Sequence, residues 1–221
     1  MRIHRHLPKL AALGAMLVLA ACSSDAVTTA VQADELAMPA MPSVAAQQAI
    51  VAEQVEAPVV GAHGTMASMS YPANAVTYQF TYNPTMDATY VMGSQMVAFP
   101  RYTICDPAVS GYGPNTWLNS CPKLTSPITI TATVWTDAQG RPQIDFANSI
   151  RFYKNFNNQL PAIYLRDSNA AMSSWGRVDY CSGSGCVNEA ASDATLATQR
   201  DPITGYLFRI IRHFSGYNVW A

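Results

Sequence analysis

The sequence predicts an all-β protein, specifically an antiparallel β-sandwich of about nine strands in the C-terminal two thirds of the chain. Two observations carry this prediction. Apolar and polar side chains alternate with a period of two through many short segments, which is typical of strands that are buried on one side. Turn residues separate these segments at short intervals, and a helical period is almost absent.

The predicted strands show this alternation or are short apolar runs between turn signals. In chain order they cover residues 76–82, 89–92, 95–99, 128–136, 143–146, 150–153, 160–165, 175–181 and 206–220, the last being either one long strand or a pair broken at Ser215-Gly216. The segment 128–136 is the clearest, because apolar and other side chains alternate along it. One face has Ile128, Ile130, Ala132 and Val134, and the other has Thr129, Thr131, Thr133 and Trp135. The loop from Pro100 to Pro127 is too long for a hairpin, so it either crosses between sheets or is a functional excursion.

Several of these segments resemble a known domain. In chain order these segments are an Ile-Thr-Ile-Thr strand, Ile144-Asp-Phe146, Ile150-Arg-Phe152, the run 160–165 and, last, His213-Phe-Ser-Gly-Tyr217. This order resembles the β-sandwich found in ankyrins, netrin receptors and zonula-occludens proteins, and the likeness covers residues 90–221. The resemblance implies a module for structure or protein contact, without a catalytic centre.

The N-terminal residues predict export from the cytoplasm. Arg2, Arg5 and Lys9 form a positive region, residues 10–21 form a short apolar region, and small residues precede Cys22. About twelve apolar residues are too few to span a bilayer as a helix, which needs about 20. We therefore predict a cleaved signal peptide rather than a transmembrane anchor.

The stretch Leu19-Ala20-Ala21-Cys22 resembles a bacterial lipobox. The resemblance implies that Cys22 becomes the first mature residue, carries lipid on its sulfur and fixes the protein to a membrane. Lipoproteins of this type carry two or three acyl chains, and each buried CH₂ contributes about 0.8 kcal/mol to anchoring. Ser23 after the cysteine implies export to the outer membrane. The expected location is the bacterial cell envelope, lipid-anchored at the outer membrane and facing the periplasm or the exterior.

These patterns divide the chain into three regions. We predict a lipoprotein signal peptide over 1–21, a lipidated N-terminus with a flexible acidic linker over 22–72, and a β-sandwich domain over 73–221. The linker has acidic residues but no lysine or arginine, and it lacks the regular large apolar side chains that a core needs. The domain has nearly equal numbers of acidic and basic residues and no basic stripe, so we predict no nucleic-acid partner.

Four cysteines besides Cys22 predict two disulfides, because an even number is expected to pair in an oxidising compartment. Three connectivities are possible, and we favour the pairing of neighbours, Cys105 with Cys121 and Cys181 with Cys186. The first pair closes a loop of about 17 residues and should stabilise the fold by roughly 3 kcal/mol. Neither pair has the spacing of a zinc site, so we predict no metal.

Catalytic spacings are weak in this sequence. His213 and Ser215 point the same way on a strand, but they lack a third group to orient the imidazole. We therefore interpret His213 as a structural residue at a sheet corner. Four aspartates could in principle supply a glycosidase-like pair, although the sequence does not place any two at a working distance: Asp137, Asp145, Asp167 and Asp179. We predict neither catalytic residues nor a cofactor.

Aromatic residues in loops and at strand ends offer a candidate binding surface. Tyr112, Trp117 and Trp175 lie near the cysteine-bearing loops, where a ring could stack on a sugar or fill a pocket in a partner. Trp135 and Trp220 lie at strand ends. The alternative is that these rings cap an open end of the sandwich core. We expect the loop 105–121 to carry recognition, because loops on a rigid scaffold often do.

Taken together, the sequence predicts a membrane-anchored extracytoplasmic lipoprotein that is not an enzyme. Its sandwich would serve protein contact or envelope structure, with the membrane as one partner through lipid on Cys22 and an envelope protein or glycan as the other. The alternative is a surface-displayed carbohydrate-binding or hydrolytic module. A groove lined by two acids and exposed tryptophans would favour that alternative.

Overall fold

The computed structural model describes residues 53–54, 71–182 and 184–220. The predicted signal peptide over 1–21 and the lipid on Cys22 lie outside the described residues. The predicted linker over 22–72 also lies outside them, apart from 53–54 and its last two residues. The strands have the following bounds: β1 Glu53–Gln54, β2 Val76–Tyr82, β3 Ala88–Met92, β4 Gln95–Phe99, β5 Ile128–Thr136, β6 Pro142–Phe146, β7 Ala162–Arg166, β8 Arg177–Ser182, β9 Gly185–Val187, β10 Gln199–Asp201, β11 Tyr206–Ile210 and β12 Gly216–Trp220.

Two antiparallel sheets form a β-sandwich, which confirms the predicted fold class. The larger sheet has seven strands in the order β1-β2-β5-β6-β12-β8-β9, and the smaller has five in the order β10-β11-β7-β4-β3. Side chains that alternate along each strand put one face of each sheet into a shared core. Phe80 of the larger sheet stacks on Tyr90 of the smaller, with ring centroids 3.9 Å apart. Tyr82 and Phe99 repeat this contact at 4.7 Å.

The pattern of β5 is as predicted. Ile130, Ala132 and Val134 are buried in the core, whereas Thr131 and Trp135 lie on the outer face of the larger sheet. The turn after β5 is fixed by Asp137, whose carboxylate accepts hydrogen bonds from the backbone N–H groups of residues 139 and 141 at 2.9 Å. This turn sets the register of β5 on β6, in which Trp135 pairs with Gln143.

Two predicted strands differ from the structure. Residues 150–153 make only isolated bridges, Ile104 with Phe152 and Arg151 with His213. The side chain of Arg151 holds the neighbouring loop, and residues 155–158 turn the chain away before a ladder can extend. The segment 206–220 is a pair of strands, but the break covers residues 211–215. β11 belongs to the smaller sheet and β12 to the larger, so the chain changes sheets at this break.

Several short elements are not predicted from the sequence. They are β1, β10, the helix α1 (Ser168–Met172) and three 3₁₀ turns at Pro114–Thr116, Glu189–Ala191 and Ala194–Leu196. Elements of two to five residues are too short to show a period. The start of α1 has a recognisable cap, since the Asp167 carboxylate accepts from the backbone N–H of Ala170 at 3.0 Å.

Candidate functional site

A pocket of about 320 Å³ lies on the outer face of the larger sheet, where β6, β12 and β8 run side by side. Its volume is at the lower end of the range of about 300–1,000 Å³ for small-molecule sites. The lining is mostly apolar, with a few polar groups. Because neighbouring strands position the lining residues, the pocket is preformed rather than assembled from mobile loops.

The floor of the pocket is open because β12 begins with glycine. Gly216 pairs with Asp145 of β6 on one side and with Cys181 of β8 on the other. A Cβ atom at Gly216 would lie 3.2 Å from the Cys181 carbonyl oxygen and 3.5 Å from the Asp145 Oδ1 atom. A side chain at this position would therefore fill the space between the two neighbouring strands.

One wall of the pocket is the Cys181–Cys186 disulfide, and the opposite wall includes Trp135 and Gln143. The Gln143 amide donates to the Asp137 carboxylate at 3.3 Å, which orients it. Burial alone would raise the pKa of Asp137, but hydrogen bonds from Arg141 outweigh burial and lower it. This carboxylate is therefore a stable anion that holds the Gln143 side of the pocket in place.

Tyr71, at the start of the continuously described domain, lies at the rim of the pocket. Its ring packs on the Trp135 indole with centroids 5.3 Å apart, and its hydroxyl donates to the Asp145 Oδ2 atom at 2.5 Å. Burial, followed by the hydrogen bond to Asp145, raises the pKa of the Tyr71 hydroxyl well above its usual value. The Tyr71 side chain is nevertheless 37% exposed. The Tyr71 side chain therefore covers the rim but is not part of the buried core.

Asn218 lies two residues beyond Gly216 on the same face of β12 and is only 7% exposed. Its Nδ2 group donates to the Cys186 sulfur at 3.4 Å. Its Oδ1 atom is buried and has no hydrogen-bond partner among the described residues. A buried acceptor without a partner costs free energy, so the wall beside Cys186 holds an unsatisfied polar group.

Trp220 lies at the far end of β12, with two guanidinium groups near its ring. The Cζ atoms of Arg141 and Arg177 lie 4.9 and 5.9 Å from the centroid of the Trp220 ring. Arg177 also pairs with Asp179 at 3.0 Å. These cations are paired with acids, so this end of the face is an internally balanced charge cluster.

A second polar cluster is buried where the chain changes sheets. The carboxylate of Glu189 lies 2.6 Å from the Arg209 guanidinium and 3.2 Å from the His213 Nε2 atom. Burial would raise the pKa of Glu189, but the hydrogen bond with His213 and the charge of Arg209 outweigh it and lower this pKa. Arg209 and His213 are fully buried. Glu189 therefore acts as the counter-ion of a buried cation.

Aromatic rings enclose His213. Trp117 stacks on the imidazole at 3.7 Å, and Tyr112 and Tyr180 meet it edge-on at 6.3 and 5.0 Å. The Tyr217 hydroxyl donates to the His213 carbonyl oxygen at 2.6 Å. This environment supports the structural interpretation of His213 at a sheet corner.

The three aromatic residues of the sequence-predicted binding surface do not form one site. Tyr112 and Trp117 come together around His213, and the Tyr112 hydroxyl donates to the Phe214 carbonyl oxygen at 2.6 Å. Trp175 lies elsewhere, just after α1, and is 78% exposed. The first two rings thus join the loop 105–121 to the sheet corner, as in the alternative in which rings cap the core.

Both disulfides form with the pairing that the sequence favours. Cys105 pairs with Cys121, with Cα atoms 5.5 Å apart, and Cys181 pairs with Cys186 at 4.0 Å. Arg151 holds the first loop as well. Its guanidinium donates to the carbonyl oxygens of Gly111, Thr116 and Asn119 at 3.0, 2.8 and 2.6 Å. The loop 105–121 is therefore a fixed part of the scaffold.

The four candidate aspartates have separate surroundings. Asp137 fixes a turn, Asp167 caps α1, and Asp179 pairs with Arg177. Only Asp145 lines the pocket. The strand register puts Asp145 and Asp179 two strand spacings and two residues apart, which corresponds to about 12 Å between their Cα atoms.

Within the part of the chain that the structure describes, no group of three or more histidine, cysteine or acidic residues is arranged to hold a metal ion. The same residues include no helix with the length and apolar character needed to cross a membrane.

Comparisons with protein-family models, with curated proteins and with solved structures found no match. The resemblances to a lipobox and to the ankyrin-type sandwich therefore remain predictions. The sequence-predicted site does not include Tyr71 at the rim, nor the lining residues Gln143 and Gly216. The sequence marks Trp135 only as an aromatic residue at a strand end, and it marks Asp145 only as one of four isolated acids.

Proposed function

We propose that the protein is a lipid-anchored lipoprotein of the bacterial cell envelope whose β-sandwich is a non-catalytic binding module. The N-terminal pattern and the resemblance at Cys22 support the anchor. The observation that carries the binding role is the preformed pocket around Gly216. Its polar groups lie at the edge of an apolar depression, an arrangement typical of recognition sites.

The surroundings of the titratable groups support a role without catalysis. His213 is enclosed by aromatic rings and lies against Glu189, away from the pocket. Asp145 is the one carboxylate among the residues that line the pocket in the described part of the chain. Binding through this face also agrees with a module that holds an envelope component near the membrane.

A second candidate is a carbohydrate-binding or hydrolytic module. Trp135 beside Asp145 and Gln143 favours carbohydrate binding, because an indole face and hydrogen-bonding side chains suit the two sides of a sugar ring. Hydrolysis needs two carboxyl groups about 5–9.5 Å apart. The pairing of the Asp179 carboxylate with Arg177 at 3.0 Å does not favour hydrolysis, because an acid held in an ion pair is not available as the second catalytic group.

Fractionation and affinity capture test the proposal together. The wild-type protein should sediment with membranes and, after solubilisation, capture one envelope component in a stoichiometric amount. Cys22→Ala should leave the membrane fraction, whereas Trp135→Ala should stay there and lose the captured component. Membrane retention of the Cys22→Ala protein would contradict the anchor. Equal capture by the Trp135→Ala protein would contradict the role of the pocket.

A further inference from the structure

We propose that the pocket recognises a neutral sugar ring of an envelope glycan, and that Tyr71 occupies the rim position that this ring takes on binding. The inference rests on the proposed function as a binding module and adds the ligand class and a built-in competitor. It follows from what Tyr71 does at the rim and from the polar groups that surround the floor.

Tyr71 presents a six-membered ring with a hydroxyl group to the site. The ring packs on Trp135 at a centroid distance of 5.3 Å, and the hydroxyl donates to Asp145 at 2.5 Å. A pyranose offers the same combination, with an apolar C–H face for the indole and hydroxyl donors for the carboxylate. The side chain that the fold itself places here therefore shows which ligand chemistry the rim accepts.

Polar groups surround the floor of the pocket, and Asn218 is buried next to it. The buried Asn218 Oδ1 atom has no partner among the described residues and lies beside Cys186, which lines the pocket. Asn218 pairs with Gln143 across the strands, so it belongs to the same face as the floor. The polar side chains that line the pocket itself are those of Asp145, Gln143 and Ser182, and a ligand with several hydroxyl groups can bond to more than one of them.

The shape of the pocket favours a small ring over an extended peptide. Its floor is the face of β6, β12 and β8, and each of these strands is paired on both sides. An extended peptide could add a strand only at β9, the edge strand beside the pocket, and would not lie in the depression itself. A tyrosine side chain of a partner protein is the remaining alternative ligand, because it would make the same contacts as Tyr71. The experiment below separates these two occupants.

Tyr71 lowers the apparent affinity of any ligand that uses the same groups. A competitor that occupies the site reduces the fraction of binding-competent protein, and the apparent dissociation constant rises by the same factor. Because Tyr71 is the second-last residue of the predicted linker, its release also detaches this end of the linker from Trp135 and Asp145. Glycan binding and detachment of residue 71 are thus one equilibrium.

Calorimetric titration of the full chain tests the inference, in a detergent without sugar headgroups. The probes are the trisaccharide of β-1,4-linked N-acetylglucosamine and N-acetyltyrosinamide. We expect the trisaccharide to bind and the tyrosine derivative not to bind. Tyr71→Phe, which keeps the ring but removes the hydroxyl bond to Asp145, should tighten trisaccharide binding by about threefold to tenfold. Trp135→Ala should weaken it by at least about fivefold.

Two variants complete the design. Phe156→Ala removes an exposed aromatic ring outside the pocket and should leave the affinity unchanged. Trp175→Ala tests the surface predicted from the sequence and should also have no effect. In the wild-type protein, the nuclear Overhauser contact between the Tyr71 and Trp135 rings should disappear at saturation with the trisaccharide.

Each other outcome overturns the inference in a different way. Binding of N-acetyltyrosinamide but not of the trisaccharide would assign the rim to a protein side chain and leave the proposed binding module intact. Unchanged or weaker trisaccharide binding by Tyr71→Phe would remove the competitor role. If neither probe binds but Trp135→Ala still loses envelope capture, the sugar ligand would be contradicted and the proposed binding module would not. Absence of both binding and capture would also contradict the proposed function.

Discussion

The Trp117 indole stacks on the buried His213 imidazole, with ring centroids 3.7 Å apart and planes inclined by 21°. The contact ties the loop 105–121 to the point where the chain passes from the smaller sheet to the larger. A tryptophan that the sequence offers for recognition is thus used to cover a histidine.

We predict that Trp117→Ala destabilises the fold by about 1–3 kcal/mol, because it uncovers His213 and loses a stacked ring. Trp117→Phe should cost less than about 1 kcal/mol, since it keeps a ring and removes an indole N–H that has no partner among the described residues. Urea unfolding measures both changes. The control Trp175→Ala removes a mostly exposed ring and should stay within about 0.5 kcal/mol. An equal loss in Trp117→Ala and Trp175→Ala would contradict a structural role for the stack.

Acid should unfold the protein through Glu189 and Asp193. Burial alone would raise the pKa of each carboxyl group. For Glu189, the partners His213 and Arg209 outweigh burial and lower the pKa. For Asp193, Thr195 and Arg212 do the same. A carboxyl group with a depressed pKa in the fold stabilises it above its unfolded value near 4, and this contribution is lost as pH falls through the folded value. The free energy of unfolding should therefore fall as the pH decreases below about 4.

Glu189→Gln separates this effect from general acid unfolding. It should reduce the slope of stability against pH, and at pH 7 it should cost about 3–5 kcal/mol because Arg209 stays buried without its counter-ion. Urea unfolding at several pH values measures both quantities. An unchanged slope together with a small loss at pH 7 would show that the buried pair does not carry the acid sensitivity.

The pKa of Lys123 should lie well below that of an ordinary lysine. Burial, and then the charge of Arg151, lowers its pKa to about 8. Its ammonium group donates to the Tyr153 carbonyl oxygen at 2.6 Å. A lowered lysine pKa means that the fold binds fewer protons than the unfolded chain, so stability should rise with pH between about 8 and 10.

Carbon-13 NMR titration of the lysine side chains measures this pKa directly. The Lys123→Met variant should lose the rise in stability between about pH 8 and 10. A titration midpoint near 10.4 for Lys123 would contradict the proposed burial of its ammonium group.

The two disulfides should differ in their contribution to stability. Loop closure predicts a loss of about 3 kcal/mol for the double change Cys105→Ser and Cys121→Ser, and about 2 kcal/mol for Cys181→Ser and Cys186→Ser, because the second loop is shorter. Urea unfolding of the two double variants measures the difference. The second variant should also impair binding at the pocket, since this disulfide forms one wall. A larger stability loss for the second pair would contradict the loop-closure account.

Much of the fold follows from local patterns in the sequence. β5 is predictable because its alternation of isoleucine and threonine reflects burial on one side, and the turn at Asp137 follows from its local hydrogen bonds. Residues 150–153 have an apolar pattern, but the Arg151 side chain bonds to the loop 105–121, which is far away in the sequence, instead of lying on a sheet face. β10 is too short to show any pattern.

The pocket is less predictable, because it depends on the register of strands that are distant in sequence. Asp145, Cys181 and Gly216 come from three strands and meet only through the pairing of β12 with β6 and β8. The sequence singles out Asp145 and Cys181 for other reasons, and it gives no signal that a glycine lies between them. Tyr71 precedes the first long strand, so its contact with Trp135 has no local signature.

The chemical shifts of backbone amides during addition of the N-acetylglucosamine trisaccharide test most directly where the protein binds. We predict that the perturbed amides cluster around Trp135, Asp145, Cys181 and Gly216, while those of Tyr112 and Trp117 stay unchanged. Perturbation confined to the loop 105–121, with the Gly216 floor unaffected, would contradict it.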